Sequence, residues 1–278
     1  MTDNPGITLA CFGVVGTLVA DNGIVELAYA EAIATQGVVS GTSAFARSMA
    51  HVHRARGQAP VDVLTSLFPE NQARGQAALL AFERSLAGAV GRTVASPIPG
   101  AKEVLTGLAD AGVRICVMTS LPQRQLTVML QACGWGDELI GSALTADDVP
   151  RGCPAPDLAL AAMLRFGVGN VREVAMVQAT GAGVECGRRA GARLVAGVLT
   201  GPHPVARLRS AGATHILGSI ADLPPVLAQI EAAESGAAPA SAQQGGHAAG
   251  GKRSQLSDPV GIGVPPQAPL QRRPLGYS

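Results

Sequence analysis

The feature that most narrows the fold is a series of short runs that are apolar almost without a break: Thr8–Val15, Val113–Thr119, Glu173–Ala179, Arg193–Leu199 and Thr214–Leu217. A strand with one wet face alternates apolar and polar residues, whereas a continuous run belongs to a strand covered on both faces. Between these runs lie helical patterns at Ala101–Ala111, Arg124–Ala132, Asp157–Phe166, Val184–Ala190 and Pro204–Ser210. Gly112, Gly191 and Gly212 close three of them, as helix C-termini favour a residue tolerant of left-handed backbone. Alternating β and α units predict an α/β fold with a parallel, right-handed, doubly wound sheet.

One interval breaks the alternation. Residues 24–96 carry no strand pattern; Ile24–Ala34, Ser43–His53, Val61–Leu67 and Gln72–Ala87 read instead as amphipathic helices. The stretch Ser96-Pro97-Ile98-Pro99-Gly100 reads as the hinge back into the sheet. The expected layout is therefore an α/β core from 1–22 and 97–231, with a helical cap inserted over 23–96. Residues 232–278 are mostly Ala, Gly, Pro, Ser and Gln, too poor in large apolar side chains to offset chain ordering, and predict a disordered tail. Its Pro266–Pro269 spacing and Arg272-Arg273 are the elements there with which a protein partner would engage.

Charge and composition remove several functions. A net charge of +1 and an aromatic content of 3% leave neither the basic field nor the stacking surface of a nucleic-acid or anionic-membrane binder. The longest apolar run, Ile7–Ala20, has fourteen residues and is too short to span a bilayer. The opening MTDNPG lacks the basic start of a secretory signal, so a cytoplasmic protein is expected. Rich Ala, Gly and Arg usage points to a bacterial source. Cys11, Cys116, Cys133, Cys153 and Cys186 form no CxxC pair and read as reduced thiols, mostly buried.

In open α/β sheets the site lies beyond the carboxyl ends of the strands. The stretches there and beside them include GTLVADNG after the first strand, RGQAPVDVLTSLF in the insertion and PIPGAKEVLTGLADAGV before the second strand. TADDVPRGCPAPDLALAAML, ECGRRAGA and GVLTGPHPVARLRSAGATHIL follow. In this order they resemble the haloacid dehalogenase superfamily, in particular its phosphonatase-like branch, over residues 7 to about 230. The resemblance implies a hydrolase in which one Asp attacks phosphorus and a second, two residues on, acts as acid and base. It further implies a Thr or Ser holding phosphate oxygens, a Lys or Arg neutralising charge, and an acidic pair holding Mg²⁺. In phosphonoacetaldehyde hydrolases a Lys of the insertion forms a Schiff base with the substrate.

Position by position, this chain departs from the pattern. The nucleophile position is Gly13 and the acid/base position Val15; the Schiff-base position is Pro60 and the basic position Cys153. Ala179 and Gly183 stand where the metal-binding acids belong. The surviving polar set, Thr17, Thr119, Ser120, Gln178 and Thr180, is expected to line a ligand pocket, with backbone N–H groups after Thr119 available to an anion. Asp21, Asp147, Asp148, Asp157 and Glu185 are the nearby acids; Asp147-Asp148 reads as a loop or cap, Asp157 as a helix N-cap and Glu185 as a surface residue. Cys153 reads as inert. His51, His53, Arg54 and Arg56 read as a solvated basic helix end, with His51 and His53 too divergent on a helix to share a metal.

The expectation is a pseudoenzyme without cofactor or metal, binding an anionic or phosphorylated small molecule or a partner enzyme, with a homodimer formed through the cap. The alternatives are a repurposed metal-independent enzyme of a biosynthetic pathway, or residual hydrolysis of phosphonate or phosphate esters.

Overall fold

A computed structural model describes residues 6–92, 96–136 and 139–234. The tail expected to be disordered lies, from residue 235 onward, outside the described residues. Six strands form a parallel sheet: β1 (Leu9–Gly13), β2 (Arg114–Thr119), β3 (Ser142–Thr145), β4 (Val174–Gln178), β5 (Leu194–Val198) and β6 (His215–Leu217). Their spatial order is β3-β2-β1-β4-β5-β6. The apolar runs of β1, β4 and β5 are buried along their whole length, as their unbroken hydrophobicity requires. The short edge strand β3 and a last helix, α10 (Leu223–Glu234), carry no sequence pattern strong enough to announce them.

The order reverses at β1, which pairs with β2 on one side and β4 on the other. Crossover connections therefore leave on both sides of its carboxyl end and open a crevice there. After β1 the chain turns sharply, with the amides of Thr17, Leu18 and Val19 all donating to the Val14 carbonyl. Gly16 takes φ +79°, and a side chain there would meet Gly201 Cα at 2.7 Å.

Four helices follow: α1 (Ile24–Thr35), α2 (Ser43–Ala55), α3 (Pro60–Leu67) and α4 (Gln72–Arg92). Helix α4 packs along α1, where the Tyr29 and Phe82 rings meet with centroids 4.4 Å apart. The two connections to the sheet run side by side, Ile98 N–H donating to Leu18 and Ala20 N–H to Ser96. Chain then returns through α5 (Ala101–Asp110), α6 (Gln123–Ala132), α7 (Asp157–Phe166), α8 (Gly181–Ala190) and α9 (Val205–Ser210), which cover the sheet.

Three contacts seat the insertion on the crevice. Arg56, which the sequence assigns to a solvated helix end, is buried and donates to Asp21 Oδ2 at 2.6 Å. Gly57, at φ +92°, lies so close to the Thr180 side chain that no Cβ fits between them. His203, buried, accepts at Nδ1 from the Gly181 amide (2.7 Å) and donates from Nε2 to the His53 carbonyl (2.8 Å). This pattern needs a neutral imidazole, because a proton on Nδ1 would face the Gly181 N–H.

Burial holds the His203 pKa below its ordinary value of 6.5, and the nearby Arg207, Arg56 and His53 add to the shift against the His53 carbonyl. The unfolded chain therefore takes up this proton first. Its contribution to stability is complete above about pH 6.5 and is lost as pH falls from there through the folded value. Urea unfolding midpoints from about pH 8 down to about pH 5 should fall through that window. The fall should be shallower in His203→Gln, whose amide can accept and donate at the same two places without titrating.

Candidate functional site

At the carboxyl ends of β1, β2 and β4 lies a cavity of about 60 Å³. Apart from Pro60, every position matched to the family pattern or expected to bind a ligand lines it: Gly13, Val15, Thr17, Thr119, Ser120, Cys153, Gln178, Ala179, Thr180 and Gly183. Pro60 is buried at the start of α3 and is not among the lining residues. The insertion contributes Val25, Tyr29, Arg56 and Gly57. Residues roughly 105–170 positions from Gly13 thus meet it because β1 is the central strand and its neighbours end level with it.

The decisive side chain is Gln178, the last residue of β4. A Cβ on Gly183 would stand 2.5 Å from its Oε1 and 3.2 Å from its Cβ; a Cβ on Gly13 would stand 2.8 Å from the same Oε1. The amide thus occupies the space into which side chains at the nucleophile position and at one metal-ligand position would project. Beside the other, Ala179, a Cβ on Gly201 would stand 2.4 Å from the Ala179 Cβ, so the two segments approach this closely only because residue 201 is glycine. A Cβ on Gly13 would also come within 2.8 Å of Thr17 Oγ1.

The pocket's polar atoms are neutral apart from the Arg56 guanidinium. Thr17 Oγ1 and Gln178 Nε2 are buried and have no hydrogen-bond partner. Such atoms are uncommon in folded proteins and mark either a cost to stability or a group awaiting a ligand. Thr119 Oγ1 accepts from the Leu121 amide at 3.1 Å, leaving its own proton free to be donated but removing that amide from the expected anion-binding turn. Thr180 caps α8 by accepting from Gly183 N–H at 3.2 Å. The Tyr29 phenol is pushed well up by burial, with Arg56 opposing, and is neutral at physiological pH.

Among the described residues no Asp or Glu lines the cavity. Asp21 is held by Arg56. Asp148 caps the short turn after β3, accepting from Thr145 N–H (2.7 Å) and Oγ1 (3.0 Å), as a cap should. Asp157 is not the N-cap of α7; Pro156 occupies that place, and Asp157 takes a two-pronged bond from Arg151 at 3.1 and 2.8 Å. That bond lowers the Asp157 pKa and turns Arg151 away from the pocket. Glu185 pairs with Arg189 on the α8 surface. His51 bonds Ser66 and His53 approaches Glu26, so the two histidines do diverge.

A haloacid dehalogenase-like hydrolase family model matches residues 7–191. The chain belongs to this family. The phosphonoacetaldehyde hydrolase of Bordetella pertussis is 34% identical over 157 residues, and that of Vibrio cholerae 28% over 160. The Bordetella match spans 49% of this chain and 57% of the relative, so only about half to three-fifths of the curated relative's length is shared. A hydrolase from Pseudomonas syringae superposes with TM-score 0.70 at 25% identity, over 80% of this chain and 99% of that one. A phosphonoacetaldehyde hydrolase-like protein from Oleispira antarctica shares the fold, with TM-score 0.72 at 21% identity over 85% and 97% of the two chains. Among the described residues no helix is long and apolar enough to cross a membrane.

Membership in the family corrects the expectation of a protein without a cofactor, since these hydrolases are Mg²⁺-dependent. The donor set of this chain pulls the other way. Mg²⁺ is a hard cation that takes charged carboxylate oxygens in octahedral geometry. The lining offers it hydroxyls, one amide oxygen and backbone carbonyls beside a guanidinium, and among the described residues no three His, Cys, Asp or Glu come together. These residues do not by themselves fit a resident Mg²⁺.

The fit of Gln178 between two glycines is open to a double-mutant cycle. Gly183→Ala should lower stability by about 1–2 kcal/mol in urea unfolding, overpacking outweighing the roughly 1 kcal/mol that Ala gains over Gly in a helix. In a Gln178→Ala background the same change should be neutral or stabilising, with a coupling of at least about 1 kcal/mol.

Proposed function

We propose that this family member retains a phosphonatase-like pocket for a small anionic molecule and has lost the hydrolytic reaction. The single observation that carries the reading is the Gln178 amide lying where side chains at Gly13 and Gly183 would project, in a pocket lined, among the described residues, by no carboxylate. Attack on phosphorus needs a nucleophilic oxygen, and expulsion of the leaving group needs a proton donor beside it. Gly13 and Val15 can supply neither. Loss of several members of one catalytic unit leaves little beyond binding.

Binding, in contrast, is well provided for. The unpartnered Thr17 hydroxyl and Gln178 amide N–H both point to a missing acceptor, and each buried unsatisfied donor costs about 1–3 kcal/mol that a ligand oxygen would remove. Arg56, paired with Asp21, lines the same cavity and brings a guanidinium to its wall. The cavity has room for a single tetrahedral oxyanion or a few waters. In this reading the helical insertion acts as the cap that shields the ligand, seated by Arg56, Gly57 and His203.

Purified protein supplied with MgCl₂, phosphonoacetaldehyde and a panel of phosphate esters should show turnover no greater than blank. Mg²⁺-dependent turnover lost in Asp147→Asn or Asp148→Asn would overturn the proposal. Inorganic phosphate, titrated calorimetrically, should bind, and Thr17→Val and Gln178→Leu should each weaken it about 10–100-fold, the range for a hydrogen bond to a charged group. Equal affinity in both variants would defeat the assignment of these donors.

A further inference from the structure

His203 is not among the residues that line the cavity, yet it ties together the two walls that do. The ring comes from the loop between β5 and α9 and is buried. Its nitrogens reach two separate parts of the molecule. Nδ1 accepts from the amide of Gly181, the first residue of α8, and Nε2 donates to the carbonyl of His53, in the last turn of α2. Each bonded residue is a short step from the cavity wall: Thr180 and Gly183 flank Gly181, and Arg56 and Gly57 follow His53. The two walls also touch directly, a Cβ on Gly57 falling 2.2 Å from Thr180 Oγ1.

We infer that His203 is a positioning residue that couples the pocket to protons: its neutral ring holds Arg56 and Gly57 against the first turn of α8, and a proton on Nδ1 unseats them, so that the pocket releases its anion as the pH falls. This regulation rests on the anion-binding reading of the pocket.

The surroundings make that proton costly. On Nδ1 it would confront the Gly181 N–H, donor against donor, at a distance set for a hydrogen bond. Burial holds the His203 pKa below 6.5, and the charged groups facing the ring, Arg207 from α9 with Arg56 and His53 from α2, push the same way against the His53 carbonyl. Arg207 lies beside the same amide, since a Cβ on Gly181 would stand 3.0 Å from its Nε. The acids stand one step further out. Asp21 is held by Arg56, and Glu26 of α1 approaches His53 at 3.3 Å.

The sign of the coupling distinguishes seating from simple attraction. An anion acting through space alone favours a charged imidazole and raises its pKa. Seating acts in the opposite sense. The seated state is the neutral-ring state, so an anion that binds it must, by reciprocity, keep the ring neutral to lower pH.

Inorganic sulfate, a tetrahedral oxyanion whose charge does not change over the range tested, is the probe. Titrated calorimetrically into full-length protein from about pH 8 down to about pH 5, it should keep its affinity until the folded pKa of His203 is reached, then lose up to about tenfold per pH unit. Circular dichroism checks that the chain stays folded throughout. His203→Gln should match wild type at the alkaline end and stay level to the acid end, its amide accepting from Gly181 and donating to His53 without titrating. In wild type, with no variant needed, the His203 ring signal in NMR should titrate below the ordinary histidine value and move lower still with saturating sulfate. An equally steep profile in His203→Gln, affinity that holds or rises on acidification of wild type, or a ring pKa raised by sulfate would each overturn the inference and leave the ligand reading in place. Absence of sulfate binding at every pH would sink both.

Discussion

Gln178 can lie at the carboxyl end of the sheet only because Gly13 and Gly183 both lack a Cβ. That mutual accommodation governs the rest of the site. Neutral amide atoms of Gln178 fill the space beside both glycines. Protein interiors resist both empty space and overpacking, and replacing an acid by glycine alone would have left the first. What the Gln178 side chain offers the crevice is hydrogen bonding without charge.

The same region is where the insertion meets the core. Arg56 is drawn to Asp21, Gly57 to Thr180, and His203 ties the Gly181 amide to the His53 carbonyl. Each contact touches either the cavity wall or the first turn of α8. Occupancy of the pocket and seating of the insertion are therefore physically joined, since Arg56 belongs to both. Protonation of His203 is unfavourable for the same reason: the ring is wedged between a donor and an acceptor and has cations nearby.

Much of this was legible in the linear chain. Unbroken apolar runs with glycine-closed helices gave the parallel sheet, because burial on both faces leaves a strand no reason to alternate. Gly13, Val15, Ala179 and Gly183, expected from flanking motifs to stand where the resemblance calls for acids, all line the cavity. Arg56 was missed: at the end of an amphipathic helix with other basic residues it looks solvated, and only Asp21, 35 positions earlier, reveals otherwise. His203 had no signal, as its partner carbonyl lies 150 residues away. Asp157 looked like a cap because its position was right, yet Arg151 offered its carboxylate two charged donors, a stronger attraction than a backbone amide.

What the sequence by itself determined is the kind of fold, which follows from local periodicity, and which residue types stand at the carboxyl ends of its strands. Tertiary structure alone decided which side chain fills the space beside Gly13 and Gly183, and which polar groups are left without a partner. Those outcomes turn on distances of a few tenths of an ångström between segments brought together by the order of strands, and no local pattern encodes them.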